Sequence, residues 1–507
     1  MKLTVFRLLA RGSLLLAAAA PGTAHAATRP HYGGTLRVEM RERVTSLDPR
    51  QWPQDSVAVA AAEKLAALVF ERLVTLDDNG RPQPQLAVSW EHDAEMKRWK
   101  FTLRSGVKFQ DGDPLTPKEI AASLAPLFSD GRQISANGSS VTFLSATPMP
   151  GLLEELASGR TFIFHEESGG KLSGTGPFRL GNWPSAQSDT AAALRAVFTA
   201  NEYAWSGRPF VDSIEIAMGV PDSRLLVDLQ LGKADVVMLA PDQIRRAAQA
   251  GLRTWSSAPV ELLALVFNSK QAAPDPRLGR ALSLSIDRAA IVNVLLQKQG
   301  EAAGGLLPQW LSGYAFLFST AADVERAKQL RAELAGAAPS LRLRADGADD
   351  TARLVAERVG VNAQQAGFSL QVGGRSDAAA SASGTASQTI AAVRLVRCRL
   401  GSVATRAELA AMVGSLGLGD DSAAALKKIS GNDPEQSYAA ERMLIESGRV
   451  IPLVYLPETV GLGAAVHDWM PRRWGAWRLE DVWLDRPESA SAATSSPSRE
   501  TATGARP

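Results

Sequence analysis

Residues Pro84 to Leu124 read PQLAVSWEHDAEMKRWKFTLRSGVKFQDGDPLTPKEIAASL, and this segment decides how the rest of the chain is interpreted. From Trp99 to Leu103 apolar side chains alternate with polar ones, the pattern of a strand with one buried face. Ser105-Gly106 predicts a turn, and Val107 to Phe109 predicts a short second strand. The sequence therefore predicts a β-hairpin here.

A helix is predicted directly after the hairpin. The run Asp111-Gly112-Asp113-Pro114 is typical of a turn, since glycine accepts a positive φ and proline fixes the exit. Thr116 then occupies an N-cap position, Pro117 the first helical position, and Glu119 the place from which a side chain reaches back to the cap. These three residues predict a capping box at a helix start.

Several motifs in fixed order make the chain resemble one protein family. The sequence is similar to the N-terminal signature of family 5 extracytoplasmic solute-binding proteins, the dipeptide, oligopeptide and nickel receptors of ABC importers. The segments of this signature are Gly33 to Val38, Leu47 to Pro49, Phe70 to Val74, Pro84 to Trp90 and Phe109 to Gly112. Gly174 to Leu180 and Ile286 to Arg288 are a second and a third match further along the chain.

The resemblance implies an α/β fold, a two-lobed type II (class C-like) periplasmic binding protein with a small extra subdomain. Lobe I is expected to be discontinuous, over residues 33–50, 172–265 and 457–486. The extra α+β subdomain is expected over 51–171, shortened between 130 and 174, and lobe II over 266–456. With 507 residues the chain is too long for a single core, in agreement with several domains.

Residues 1–26 read as a cleavable signal peptide. They combine a basic start, an apolar run from Leu14 to Ala20 and a small-residue site at Ala24-His25-Ala26. Losing the three basic residues of this segment lowers the formal net charge from +2 to −1, which leaves no basic character to suggest nucleic acid. No cysteine follows the apolar run, so we expect a periplasmic protein without a lipid anchor. The Ser/Ala/Thr-rich residues 487–507 predict a disordered tail.

Longer elements are read from periodicity and caps. An Ala-rich helix is predicted over Ser56 to Leu73, a long helix from Asp275 to Gly300, and a helix from Ala321. Residues 341–372 predict a βαβ unit and hence a parallel sheet, and 373–387 a flexible Ala/Ser/Gly loop. Four tryptophans near the end of the chain are interpreted as packing rather than ligand contacts: Trp469, Trp474, Trp477 and Trp483.

The sequence contains few residues or motifs that would support enzyme activity or metal binding. The histidines lack metal-ligand spacing, and His165-Glu166-Glu167 is better explained as a solvated acidic turn. Cys398 lies in a basic strand with no histidine nearby, which favours a chance thiol over a nucleophile. No phosphate-loop or Gly-x-Ser-x-Gly motif is present. We expect no enzyme activity, no cofactor and no metal.

The candidate ligand contacts come from two segments. Peptide-binding relatives carry a tryptophan and an aspartate-tyrosine pair near residue 397, where the aspartate holds the ligand's amino terminus, and this chain has neither. Since Arg397, Cys398 and Arg399 stand there instead, the hypothesis is that the ligand presents a carboxylate or other anionic group. The second segment is Arg43-Val44-Thr45, where Arg43 is equally well explained as a solvated surface charge.

The resemblance implies a monomer that captures a peptide-like or other small solute by hinge closure and delivers it to an ABC permease at the inner membrane. Two alternatives stay open. One is a family member that now acts as a receptor or scaffold without transport, consistent with the shortened subdomain and the missing acidic anchor. The other is a secreted hydrolase, which the lack of a nucleophile and base pair disfavours.

Overall fold

The computed structural model describes residues 29–53, 55–128, 131–157, 159–184, 194–267, 275–334, 340–345, 349–373, 391–419, 426 and 433–486. The predicted signal peptide, the tail from 487 and residues 374–387 of the predicted loop therefore lie outside the described residues. The helices are Ser56–Val69 (α1), Pro117–Leu124 (α2), Leu152–Leu156 (α3), Asp222–Gln230 (α4), Pro241–Gln249 (α5), Pro276–Ser285 (α6), Arg288–Ala290 (α7), Gln309–Ser312 (α8), Val324–Ala332 (α9), Asp350–Gln365 (α10), Thr405–Leu416 (α11) and Pro434–Glu446 (α12).

The strands follow in chain order. They are Thr35–Glu39 (β1), Val74–Leu76 (β2), Pro82–Pro84 (β3), Ala87–His92 (β4), Arg98–Leu103 (β5), Gln133–Asn137 (β6), Ser140–Leu144 (β7), His165–Glu166 (β8), Leu172–Ser173 (β9), Phe178–Asn182 (β10), Arg195–Ala200 (β11), Ser213–Ala217 (β12), Val236–Leu239 (β13), Arg253–Phe267 (β14), Glu301–Ala302 (β15), Leu341–Ala345 (β16), Leu370–Val372 (β17), Ala391–Arg399 (β18), Val450–Leu462 (β19), Val466–His467 (β20) and Trp483–Leu484 (β21).

One mixed sheet runs through both lobes in the order β10-β11-β12-β1-β13-β19-β14-β18-β16-β17. The lobe I half contains β1 between the parallel neighbours β12 and β13. In the lobe II half, β16 is parallel to both β17 and β18, and α10 links β16 to β17. The βαβ unit predicted over residues 341–372 is confirmed. The exact lobe boundaries remain a prediction.

Two long antiparallel strands, β14 and β19, join the halves of the sheet. At one end β19 pairs with β13, and at the other β14 pairs with β18. Their mutual register shifts around the Pro259 and Pro457 pair, where neither residue can donate a backbone hydrogen bond. The sheet is therefore irregular between its β13 side and its β18 side.

A smaller sheet of order β4-β5-β7-β6 forms the core of the extra subdomain. As predicted, β5 buries Trp99, Phe101 and Leu103. Phe101 and Phe143 are fully buried with ring centroids 5.5 Å apart, and each such side chain contributes about 1.5–3 kcal/mol of burial free energy. The helix α2 packs on this sheet and begins with the predicted Thr116 and Glu119 capping box.

The predicted hairpin after Trp99 is wrong. The partners of β5 are β4 and β7, and residues 107–109 form only an isolated bridge between Lys108 and Pro114. Phe109 N–H instead donates to the Asp113 carbonyl at 2.8 Å, and Pro114 has no N–H with which to extend a ladder. The segment is a compact turn whose apolar side chains still reach the subdomain core.

Three predicted helices are shorter than expected. The first ends at Val69, because the Val69 carbonyl accepts from Gly176 N–H and from the Gln110 side-chain amide instead of continuing the helix. The long helix from Asp275 stops at Ser285, and Asp287 caps a new turn. The third begins at Val324, since Asp323 itself is the N-cap.

Hydrophobic clusters hold each part together. Helix α1 packs into the lobe I cluster with Leu36, Phe178 and Ile214, so this helix lies on lobe I although it precedes the subdomain sheet. A second cluster, on one face of the lobe II sheet, includes Leu282, Leu341 and Val355. Within the described residues, none of the helices has the length and apolar character needed to cross a membrane.

Candidate functional site

A cavity of about 690 Å³ opens where α1, the end of β18 and the segment 472–481 meet. Volumes of this size are typical of sites for small ligands. Its apolar wall consists mainly of large aromatic rings: Phe70, Trp205, Trp310, Trp474 and Trp477. Its charged wall includes Lys64, Arg72, Arg399, Arg472 and Glu480. The combination suits a small solute with both apolar and charged groups.

A buried charge cluster forms the floor of this cavity. Glu458 is an ion-pair partner of both Lys64, which contacts its Oε2, and Arg399, whose Nη1 lies 2.8 Å from the same oxygen. Burial lowers the pKa of Lys64, while the Glu458 carboxylate opposes this effect. Arg399 Nη1 also lies 3.9 Å from Glu261 Oε1, so the connected network holds three cations, Lys64, Arg399 and Arg397, and three carboxylates, Glu458, Glu261 and Asp349.

Two residues that line the cavity carry buried polar atoms without hydrogen-bond partners. The indole N–H of Trp477 and the Nε of Arg399 are buried and have no hydrogen-bond partner among the described residues. Buried donors without partners are costly, by about 1–3 kcal/mol each. A solute that accepted hydrogen bonds from these donors, after a shift of the two side chains towards the cavity, would remove this cost.

A second, much smaller cavity lies on the other side of this cluster and is lined by Arg41, Glu261 and Arg397. Arg397 Nε donates to Asp349 at 2.7 Å, and its Nη1 contacts Glu261. Burial alone would lower the pKa of Arg397, but these two carboxylates raise it above its usual value. The Arg397 guanidinium is therefore engaged by two acids of the protein itself.

The six residues predicted as ligand contacts do not form one group. Arg399 lines the large cavity and Arg397 the small one, whereas Arg43, Val44 and Thr45 line neither. The Arg43 side chain packs on Gly219, Val44 is buried in the lobe I core, and the Thr45 carbonyl accepts from the Trp183 indole at 3.3 Å. A ligand contact by these three residues stays a prediction.

Cys398 lines neither cavity. Its thiol is buried, its Sγ lies 3.5 Å from Ser56 Oγ, and burial raises its pKa to about 12. A thiol with so high a pKa is not a nucleophile at neutral pH. The structure supports the interpretation of Cys398 as a packing residue.

Sequence reasoning missed Lys64, Glu458 and the aromatic wall. Lys64 occurs in an Ala-rich helix and Glu458 within the apolar strand β19, and 394 residues separate them. The one sequence feature that could have identified these two residues is a single charged residue within an otherwise apolar element. The tryptophans near the end of the chain differ in their surroundings. Trp469 and Trp477 pack in the lobe I core, whereas Trp474 lines the cavity. Trp477 does both.

Glu408 holds in place a loop that forms part of the cavity wall. Its carboxylate is buried and accepts from Gly401 N–H at 2.9 Å and from Ser402 N–H at 2.7 Å, which fixes the loop after β18. Burial raises the Glu408 pKa from 4.5 to about 7, although the two amides lower it. Glu408 is a positioning residue for the loop that follows Arg399.

Stability should depend on pH through Glu408. Because its pKa is raised in the folded state, the native protein binds more protons than the unfolded chain between pH 4.5 and 7, and this contribution is lost as pH rises through that range. Glu408→Gln keeps a hydrogen-bond acceptor but carries no charge. We therefore expect the difference in free energy of unfolding, variant minus wild type, to rise by about 3 kcal/mol from pH 4.5 to pH 8. Urea unfolding at both pH values measures this difference. An exposed control, Glu446→Gln, should show no gain, and an equal gain in both variants would contradict the assignment.

Comparison with known proteins agrees with this architecture. Residues 81–392 match the family described as bacterial extracellular solute-binding proteins, family 5 middle. The nickel-binding periplasmic protein of Escherichia coli is 27% identical over 336 residues, 60% of this chain and 59% of that protein. The chain thus spans about three fifths of the length of this curated relative.

Solved structures share the fold. The ABC transporter substrate-binding protein CtaP of Listeria monocytogenes superposes with a TM-score of 0.72 at 16% identity, covering 90% of this chain and all of that one. A dipeptide-binding protein of Pseudoalteromonas, in complex with Met-Leu, gives a TM-score of 0.74 at 15% identity over 89% of this chain and all of its own. The two-lobed type II fold expected from the sequence is confirmed, and the chain belongs to the bacterial extracellular solute-binding proteins of family 5.

Proposed function

We propose that this chain is an extracytoplasmic solute-binding protein that captures a peptide-like or other small solute in the 690 Å³ cavity. The observation that carries the proposal is the wall itself, where the rings of Trp474 and Trp477 lie beside the cations Arg399 and Lys64. Solute binding to related proteins of the same fold supports it, since one is a nickel-binding protein and another holds a dipeptide. Binding here makes and breaks no bond.

The solute is proposed to present a carboxylate or another anionic group to Arg399. Arg399 lines the cavity, and its buried Nε has no hydrogen-bond partner among the described residues, although Glu458 and Glu261 both lie near its Nη1. Arg397 is a weaker candidate because Glu261 and Asp349 already engage it. The remaining apolar part of the solute would lie against Trp474 and Trp477.

Capture is proposed to proceed by hinge closure at the irregular Pro259 and Pro457 register of β14 and β19. A solute that binds the closed form more tightly shifts the population towards it. The closed monomer would then deliver the solute to the permease of an ABC importer at the inner membrane. Residues 1–26 are proposed as the signal peptide that places an unlipidated protein in the periplasm.

Native mass spectrometry of the mature chain, purified without denaturation, tests this proposal. We expect a small molecule of defined mass that remains bound in the folded protein and dissociates on unfolding. An empty protein, with no thermal shift by peptides, nickel, haem or sugars, would reject solute binding, since a ligand of the native state must stabilise it. That outcome would favour the receptor or scaffold alternative.

The Trp477 indole N–H provides a sharper test on the co-purified solute. Trp477→Phe keeps an aromatic ring but removes the donor, so we expect affinity to fall about 5- to 10-fold, the effect of one lost hydrogen bond. The matched control is Trp469→Phe, because Trp469 is also buried with an unpartnered indole N–H among the described residues but does not line the cavity. Isothermal titration of both variants measures the difference. Equal affinities in the two variants would place the solute elsewhere.

A further inference from the structure

Three potential metal ligands meet at the edge of the extra subdomain, apart from the cavity. Asp111 and Asp113 belong to the turn after Phe109, and His165 lies in β8, 54 residues further along the chain than Asp111. One ligand atom of each residue lies within 4.8 Å of the others. The sequence pairs His165 with Glu166 and Glu167, whereas the fold brings it to the two aspartates.

The His165 ring is held in one orientation. It packs against the buried Phe109 ring at a centroid distance of 4.2 Å. Its Nε2 lies 2.5 Å from Asp111 Oδ2, while Asp111 Oδ1 accepts the Asp113 N–H at 3.0 Å. One imidazole nitrogen and one carboxylate oxygen therefore converge, and the exposed Asp113 carboxylate lies beside them.

The hydroxyl of Ser173 is an independent sign that the cluster has a further occupant. Ser173 pairs with His165 in the β8 and β9 ladder and is only 1% exposed, yet its Oγ makes no regular hydrogen bond to any described residue. As the direct cross-strand partner of His165, Ser173 carries its side chain on the same face of the hairpin as the imidazole. A metal-bound water at this position would supply the partner that Ser173 lacks.

We propose that Asp111, Asp113 and His165 bind a divalent first-row transition-metal ion, with a water held by Ser173 in the fourth position. A set of one imidazole and two carboxylates suits Zn²⁺, whereas Ca²⁺ and Mg²⁺ prefer oxygen ligands alone. The three candidate atoms lie within 4.8 Å of one another in this structure. Atoms that bind one zinc ion, each about 2.0–2.2 Å from it, must lie closer together than this. A rotation of the exposed Asp113 side chain would close the site.

The ion would fasten the β8 and β9 hairpin to the turn at Asp111. The same turn is anchored to lobe I by Gln110, whose side-chain amide donates to the carbonyls of Val69 and Phe178. The site would therefore stabilise the junction between the subdomain and lobe I. Because none of its residues lines the cavity, this role is independent of solute capture.

Isothermal titration with Zn²⁺ tests the site on the mature full chain, purified without a polyhistidine tag and freed of metal with EDTA. We expect one ion per chain, with Mg²⁺ and Ca²⁺ failing to compete. Asp113→Asn changes only an exposed side chain and should weaken binding at least about 10-fold, as should His165→Asn. Ser173→Ala, which removes an outer-shell contact, should cost about 10-fold.

The matched control is His92→Asn. His92 lies in the same subdomain and also packs on an aromatic ring, Trp99, at 4.5 Å, but it is outside the cluster. Its loss should leave Zn²⁺ affinity unchanged, and thermal melts without metal verify that each variant is folded. Zinc binding that survives both His165→Asn and Asp113→Asn, or no binding by the wild-type chain at millimolar Zn²⁺, would overturn the proposal.

Discussion

Replacing Glu458 with alanine is expected to lower the free energy of unfolding by about 3–5 kcal/mol, the cost of breaking a buried ion pair by removing one partner. The carboxylate is 5% exposed and is shared by Lys64 and Arg399, both also buried. Without it, Lys64 loses its ion pair and Arg399 keeps, among the described residues, only the 3.9 Å ion pair with Glu261. The loss should show as a lower midpoint of urea unfolding at neutral pH.

Two further variants make the Glu458 result specific. Glu446→Ala removes an exposed glutamate whose pair with Arg442 spans 3.8 Å, and we expect a change below about 0.5 kcal/mol. The double variant Lys64→Ala/Glu458→Ala should lose less free energy of unfolding than the two single variants together. The reason is that the double variant leaves no unpaired lysine ammonium in the cluster. A near-wild-type midpoint for Glu458→Ala would contradict the charge cluster as described.

Local chemistry made part of the fold predictable. The Thr116 cap, the β5 alternation and the helix Asp350–Gln365 each depend on residues within one element, and the structure confirms them. The hairpin after Trp99 failed because strand pairing depends on distant partners. The strand β7, some forty residues further on, displaces residues 107–109 from the side of β5.

The candidate site was less predictable for the same reason. Arg399 was identified by its departure from the family pattern, but the sequence gives no reason to prefer it to Arg397. The distinction comes from Glu261 and Asp349, which engage Arg397 from β14 and from the start of α10. Lys64 and Glu458 join Arg399 only because α1 crosses the end of β18, where the Ser56 hydroxyl accepts the Arg399 N–H at 3.0 Å.

The glycine pair at 174 and 176 is explained by close packing in the structure rather than by backbone conformation. The pair begins one of the segments that match the family, and neither glycine has a positive φ. Their role is close approach to the end of α1. A Cβ on Gly174 would lie 2.1 Å from the Val69 carbonyl oxygen and 2.6 Å from Phe70 Cδ1, where no side chain fits.

Gly174→Ala should therefore be strongly destabilising, by about 3 kcal/mol or more, at the upper end of overpacking effects. The new methyl group would push the turn from α1 and stretch the bonds from Gly176 N–H to the Val69 carbonyl and from Gln110 N–H to the Gly174 carbonyl, both 2.9 Å long. We expect Tm to fall by at least about 6 °C, given about 2–4 °C per kcal/mol for a domain of 150–250 residues.

The control is a glycine with space around it. Gly414 is exposed within α11, and a Cβ there meets nothing within 4 Å, so Gly414→Ala should raise stability by up to about 1 kcal/mol through helix propensity. The two Gly→Ala changes thus have opposite expected signs, which excludes a general effect of glycine on the unfolded chain. If Gly174→Ala melted at or above the wild-type temperature, the strand β10 would not enter lobe I against the end of α1. The motif would then need an explanation in ligand binding rather than in packing.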